Sequence, residues 1–297
     1  MEASVEIRTV GVVGCGLMGS GIAEVCARAG FSTIVREIDT QALERGVQRI
    51  DQSLSTAVKR GKLTESDRDA ARARITATSD LGAFNHCDLV IEAVIEQLDE
   101  KRQVYRALDA VCPPHTMLAS NTSSIPIVEL ANSTRRPAQV LGMHFMNPAP
   151  VMPLVELVQA LTTSEETLDT ARAFCDALGK KVIVAQDQAG FIVNLLLVPY
   201  LLDAARLYAS GAATKQDIDR GLVLGCGVPM GPLTLADFVG LDTLCSIAEI
   251  LYVEYRDPRY ASPPLLLRMV AAGRHGRKSG QGFYDYRDGS TDRPPVD

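Results

Sequence analysis

Two periods of apolar positions divide the chain. In its first part, short apolar runs recur at Thr9–Val13, Ser32–Val35, Leu89–Glu92, Met117–Ser120, Leu141–Phe145, Leu154–Val158 and Lys181–Val184. Runs this short and rich in Val, Ile and Leu predict strands. Between most of them, apolar residues return every three or four positions, predicting helices over Ser20–Ala29, Gln41–Arg60, Thr64–Ala73, Leu98–Val111 and Glu165–Leu178. Strand and helix in alternation imply a mostly parallel sheet covered on both faces. The two helices of residues 41–74 form an insertion after the second strand, turning at Gly61-Lys62.

From about Ala189 the strand signal vanishes. Helix-length apolar segments follow at Phe191–Ala209, Lys215–Val223, Pro232–Tyr255 and Pro264–Ala272, with Gly225-Cys226-Gly227 reading as a break. The fold expected is α/β: a mostly parallel-sheet domain over 1–188, then an all-α domain over 189–297. A small helical domain this apolar completes its core most readily in a dimer. Its most apolar stretch, Phe191–Leu202, contains Asn194 and Pro199 and falls short of the about 20 residues that span a bilayer.

The first strand runs into Gly14-Cys15-Gly16-Leu17-Met18-Gly19, a Gly-x-Gly-x-x-Gly loop that opens a helix. In that context Gly14 permits the turn, Gly16 leaves room for a pyrophosphate, and Gly19 lets the helix pack close. The helix N-terminus offers N–H groups to the phosphates. Glu37 stands at the end of the second strand, where an acid binds the ribose hydroxyls of NAD and repels a 2′-phosphate. Arg36 beside it is of the type that pairs with such a phosphate, so NADP stays open as the alternative.

The net charge of −6 carries no basic footprint for nucleic acid. Seven cysteines are dispersed, without C-x-x-C or clustering with the four histidines. That pattern fits reduced thiols in a cytoplasm and predicts no metal site. No charged-then-apolar leader opens the sequence.

Proton transfer to or from an alcohol suits histidine, whose ordinary titration lies near neutrality. His86, His115 and His275 have bland polar settings, whereas His144 ends a strand, where ligands bind in open α/β sheets. Glu156 lies in the apolar run Pro153–Val158, and a carboxylate there is costly unless paired. A returning strand could bring it behind His144, where it would orient the imidazole; an edge-strand surface glutamate is the competing reading. The polar segment Ser120-Asn121-Thr122-Ser123-Ser124 follows another strand. It reads either as a contact for a polar substrate or the coenzyme ribose, or as a helix cap. Asn194 interrupts an apolar helix and wants a buried partner, for which the cleft between the domains is the natural place.

Over roughly residues 8 to 287 the chain resembles the L-3-hydroxyacyl-CoA dehydrogenase family, closest to its short bacterial 3-hydroxybutyryl-CoA dehydrogenases. The resemblance rests on GVVGCGLMGSGIA at Gly11–Ala23, VIEAVIEQLDEK at Val90–Lys101, SNTSSIPI at Ser120–Ile127 and GMHFMNPAPVMPLVEL at Gly142–Leu157. It continues through AGFIVNLLLVPYL at Ala189–Leu201, GVPMGPLTLADFVGLD at Gly227–Asp242 and GRKSGQGFYDY at Gly276–Tyr286. It implies that His144 is the base, Glu156 its partner, and Ser123 and Asn194 substrate contacts. Beyond Gly14, Gly16, Leu17, Met18 and Gly19, it places Glu37, Ala93, Glu96, Lys101, Ser123 and Asn147 at the NAD site. The implied reaction converts (S)-3-hydroxyacyl-CoA to 3-oxoacyl-CoA reversibly, and the implied fold is a Rossmann-like domain followed by a helical domain through which the protein dimerises. In the insertion, Lys59, Arg60, Lys62, Arg68, Arg72 and Arg74 either meet the nucleotide of CoA or form a solvated face.

Three positions depart from the usual family pattern: Glu37 where Asp is frequent, Met146 where Phe is usual, and Ala149 where Val is common. The last two lie close to the implied base and leave the acyl group open, including one carried on an acyl-carrier protein. Two rivals remain. One is a 3-hydroxyacid dehydrogenase with a lysine base on the first long helix of the second domain, but Phe191–Ala209 holds no lysine. The other is an inactive structural member, against which the retention of His144, Glu156, Ser123 and Asn194 argues.

Overall fold

The computed structural model describes residues 6–288, 290, 292 and 294–295. It divides into two units, 1–188 and 189–297, each with its own core. The first contains β1 (Thr9–Val13), α1 (Leu17–Arg28), β2 (Ser32–Arg36), α2 (Thr40–Lys59), α3 (Glu65–Ala73), β3 (Ile75–Thr78) and β4 (Leu89–Glu92). These are followed by α4 (Leu98–Val111), β5 (Met117–Ser120), α5 (Ile127–Ala131), β6 (Val140–Phe145), β7 (Leu154–Gln159), α6 (Glu165–Ala177) and β8 (Lys181–Gln186).

The eight strands form one sheet in the order β3-β2-β1-β4-β5-β6-β7-β8. All neighbours are parallel except β6 and β7, so the last two strands run against the other six. β1, β4 and β6 are almost wholly buried and mostly apolar along their length, as helices on both faces demand. Helix starts obey local capping chemistry: Asp39, Thr64 and Ser164 accept hydrogen bonds from Ala42, Asp67 and Thr167 amides. The turn of the helical insertion falls at Gly61, with φ +67°.

β3 was not anticipated. Ile75 alone of its four residues is buried, and a short edge strand with one apolar contact leaves no periodic trace. α5 is likewise too short to show a helical period.

The second unit is helical: α7 (Val193–Ala209), α8 (Lys215–Cys226), α9 (Pro232–Val239), α10 (Leu241–Tyr255) and α11 (Pro264–Ala271). α8 starts at the Thr214 cap and ends at Gly227, with φ +69°. The helix expected over Pro232–Tyr255 is two helices, because Gly240 adopts φ +100°, which no continuing helix allows. Two buried carboxylates tie this unit together. Asp219 accepts from the Leu233 and Thr234 amides and the Tyr284 hydroxyl, and Asp237 from the Phe283 and Tyr284 amides and the Tyr286 hydroxyl. Among the described residues no helix is long and apolar enough to cross a membrane.

Candidate active site

The carboxyl ends of β1, β4, β5 and β6 lie along one edge of the sheet, and most of the sequence-predicted site residues project from it. After β1, Gly14 turns the chain at φ +91° and donates its amide to the Arg36 carbonyl at 2.8 Å. A side chain there would meet the Ala93 carbonyl at 2.6 Å, and one at Gly19 would meet the Gly14 carbonyl at 1.8 Å. Gly16 differs: a Cβ built on it has no atom within 4 Å. α1 begins at once with no side-chain cap, so its first-turn N–H groups are available to an anion. The loop therefore fits a dinucleotide pyrophosphate: closed where it packs on the fold, open where phosphates approach. Leu17 is exposed and Met18 half-buried beside it. Cys15 is buried within this loop, and burial pushes its thiol up to about 11, so it stays protonated.

Glu37 stands just past β2. Its carboxylate accepts from the Cys15 and Ile38 amides, both at 2.8 Å, which holds it against the glycine loop. The Arg36 guanidinium is turned to the Ser79 carbonyl at 3.3 Å.

In the connection between β4 and α4, Glu96 grips the segment after β5. It accepts from the Thr122 hydroxyl at 2.6 Å, the Ser124 hydroxyl at 2.9 Å and the Ser123 amide at 3.0 Å. Burial alone would raise its carboxyl. The Lys101 ammonium and these donors outweigh burial and hold it below the usual range. Lys101 is itself buried, 2.6 Å from Glu92 and 3.2 Å from Glu96. Asn121 ties the same segment to β6, its Oδ1 accepting from the Phe145 amide at 2.9 Å.

The antiparallel pairing sets His144 directly opposite Glu156, with 2.7 Å between Nδ1 and Oε2. Both side chains are buried. An ionised carboxylate only accepts, so Nδ1 carries the hydrogen and the lone pair of the neutral ring lies on Nε2. The loop joining the two strands carries exposed Asn147 and is fastened from beneath by buried Lys180, whose Nζ donates to the Ala149 and Met152 carbonyls at 2.6 and 2.8 Å.

That loop, α1 and α2 enclose a cavity of about 670 Å³. Arg28, Arg49, Arg60 and Lys62 line it, with Glu24 as the acid. Of the other basic residues of the insertion, Arg68 pairs with Asp69, Arg72 with Asp51, and Arg74 donates to the Ala27 carbonyl. Of the cationic set anticipated from the sequence, Arg60 and Lys62 thus line the cavity, Arg68, Arg72 and Arg74 are bonded to other groups of the domain, and Lys59 is exposed outside the cavity.

Asn194 lies half-buried in the first turn of α7, in the second unit. The sequence reading overlooked Glu92 and Lys180 as structural members of the site, and it read Asn121 as one of a ligand-contacting or capping segment where its amide oxygen braces β6. Glu92 carried the same kind of signal as Glu156, a carboxylate set among apolar strand residues. Nothing local marked Lys180.

The family model described as 3-hydroxyacyl-CoA dehydrogenase, NAD binding domain, matches residues 9–188, and the C-terminal domain model of the same family matches 190–286. A 3-hydroxybutyryl-CoA dehydrogenase of Mycobacterium tuberculosis is 51% identical over 282 residues, 94% of this chain and 99% of the relative. The crystal structure of M. tuberculosis FadB2 superposes with a TM-score of 0.94 at 50% identity, covering 95% of this chain and all of that one. That of (S)-3-hydroxybutyryl-CoA dehydrogenase PaaH1 from Ralstonia eutropha gives 0.89 at 43% identity, again over 95% of this chain and all of that one.

Proposed function

The chain belongs to the 3-hydroxyacyl-CoA dehydrogenase family, and we propose that it interconverts (S)-3-hydroxyacyl-CoA, of short chain such as 3-hydroxybutyryl-CoA, and 3-oxoacyl-CoA with NAD as coenzyme. The observation that carries this reading is the His144–Glu156 contact on the sheet edge that also bears the glycine loop.

When bound, NAD supplies the acceptor for the hydride that leaves C3. The phosphates are held by the Gly14–Gly19 loop and the ribose by Glu37, whose charge disfavours a 2′-phosphate. Ala93, Glu96, Lys101, Ser123 and Asn147 complete the coenzyme site, Lys101 through its hold on Glu96. His144 takes the 3-hydroxyl proton at Nε2 in oxidation and returns it in reduction. Glu156 keeps Nδ1 protonated and stabilises the imidazolium that forms. Ser123 donates to the oxygen at C3, favouring the negative charge that develops there, and Asn194 of the second unit is a substrate contact. The cationic cavity wall of Arg49, Arg60 and Lys62 suits the phosphates of CoA.

The domain assignment is 1–188 for the coenzyme and 189–297 for a helical domain. Leu196, Leu207, Leu224, Val253 and Leu267 are exposed on the helices of that domain, which supports a homodimer through it. A cytoplasmic setting agrees with the seven cysteines, all free.

The test follows NADH absorbance with acetoacetyl-CoA, longer 3-oxoacyl-CoA esters and an acyl-carrier-protein thioester, repeated with NADPH. Turnover of the short CoA ester with NADH is expected. No turnover of any thioester would return the protein to a non-enzymatic role, and preference for the carrier-protein thioester would change the substrate.

A further inference from the structure

Glu92 has no exposed surface, so it stands behind the site. Both its oxygens are engaged. Oε1 accepts from Lys101 Nζ at 2.6 Å and the Val94 amide at 2.7 Å, and Oε2 from the Ser120 hydroxyl at 2.7 Å. Burying a carboxylate with an ammonium is costly, and here the buried cation continues outward to Glu96 at 3.2 Å. Glu96 in turn holds Thr122, Ser123 and Ser124. We propose that Glu92 is a positioning residue of the reaction: it fixes Lys101 and shares its charge, and so sets the place and charge of Glu96 and, through it, of Ser123. The inference rests on the dehydrogenase reading given above.

Three charges stand in a row, negative, positive, negative. Lys101 serves two carboxylates, so what Glu92 draws from it Glu96 does not receive. From α4 and β4, the titratable groups around Glu96 are Lys101 and, behind it, Glu92 and Tyr105. From the segment after β5 come only hydroxyl and amide donors. Burial raises the Tyr105 phenol well above its usual range, so it stays neutral. Protonating Glu96 weakens it as an acceptor and releases Ser123.

The experiment is the pH profile of 3-oxoacyl-CoA reduction. There the protonated His144 is the productive form, so its titration does not lower activity in acid, and the part of an acid decline that belongs to Glu96 is identified by how it moves in two variants. In E92Q, nearly the same shape without charge, Lys101 acts on Glu96 alone and the decline moves to lower pH. In K101M both carboxylates lose their cation and the decline moves up by about one pH unit, a roughly tenfold loss at the pH concerned. General damage to packing would not move the two variants in opposite directions. An unmoved decline in either, or displacement the same way in both, overturns the proposal. If E92Q does not fold, E92Q/K101M replaces it: with Lys101 gone, removing Glu92 relieves repulsion and returns the decline downward from its place in K101M. A decline left in place or raised further overturns the proposal. If the wild-type protein turns over no thioester, the proposed function fails instead. The Glu96 carboxyl, followed by carbon NMR across pH in the same proteins, then shows or lacks the same displacements.

Discussion

His144 and Glu156 face each other as direct partners across the antiparallel β6–β7 pair, with Nδ1 and Oε2 2.7 Å apart. Because side chains alternate along a strand, a slip of one residue in this register would send Glu156 to the opposite face. Replacing His144 by Gln is expected to lower kcat by about 10²–10⁴-fold while NAD still binds. Near-normal turnover would remove His144 from the role of base. Glu156→Gln is expected to lower kcat about 10²-fold or more. It removes the anion that favours the imidazolium, so the pH at which oxidation activity rises is expected to move downward. A rise displaced upward would contradict the pairing.

The two helix-start glycines separate folding from binding. A methyl at Gly16 meets open space, and its φ of −67° suits alanine. Gly16→Ala is expected to leave Tm unchanged and weaken NAD about tenfold, about 1.4 kcal/mol. Gly19→Ala drives its methyl into the Gly14 carbonyl. It is expected to cost about 1–3 kcal/mol of stability as well, measured by denaturant unfolding. Equal NAD affinity in Gly16→Ala and wild type would argue against phosphates at this loop.

Glu37 holds the Cys15 and Ile38 amides and stands where a ribose acid is expected. Glu37→Ser removes both the ribose acceptor and the charge that repels a 2′-phosphate. The ratio of kcat/KM for NAD over NADP is expected to fall about tenfold or more. An unchanged ratio would deny Glu37 a part in choosing the coenzyme.

Asp109 is buried at the end of α4 and paired with Arg135 and Arg136 at 2.9 and 2.8 Å. Burial by itself would raise its carboxyl, but the two guanidinium groups hold it below the ordinary value. A depressed folded-state value means stability present above the unfolded value and lost as pH falls through the folded one. Asp109→Asn is expected to cost about 2–3 kcal/mol near neutrality, and the difference from wild type should shrink in acid. A gap that stays constant with pH would show that charge is not the reason.

Local chemistry was enough to read much of this chain. A glycine-rich turn between a strand and a helix needs only its own residues, and His144 could be placed at a strand end from the period of its neighbours. The apolar runs marked seven strands for the same reason, since burial writes itself into each segment, on both faces for central strands such as β1 and β4. β3 escaped because it is short and held by neighbours, with one buried side chain of its own. The break at Gly240 escaped because a glycine is tolerated in a helix until its backbone turns to positive φ. What only the tertiary structure decided is which distant groups share a charge. Glu156 alone was a costly carboxylate with two readings, and the register chose between them by setting it against His144. The row Glu92, Lys101, Glu96 and Ser123 joins β4, α4 and the segment after β5. Such a row has no spacing in sequence that could betray it, because hydrogen bonds between elements depend on how the sheet is ordered and not on the order of the chain.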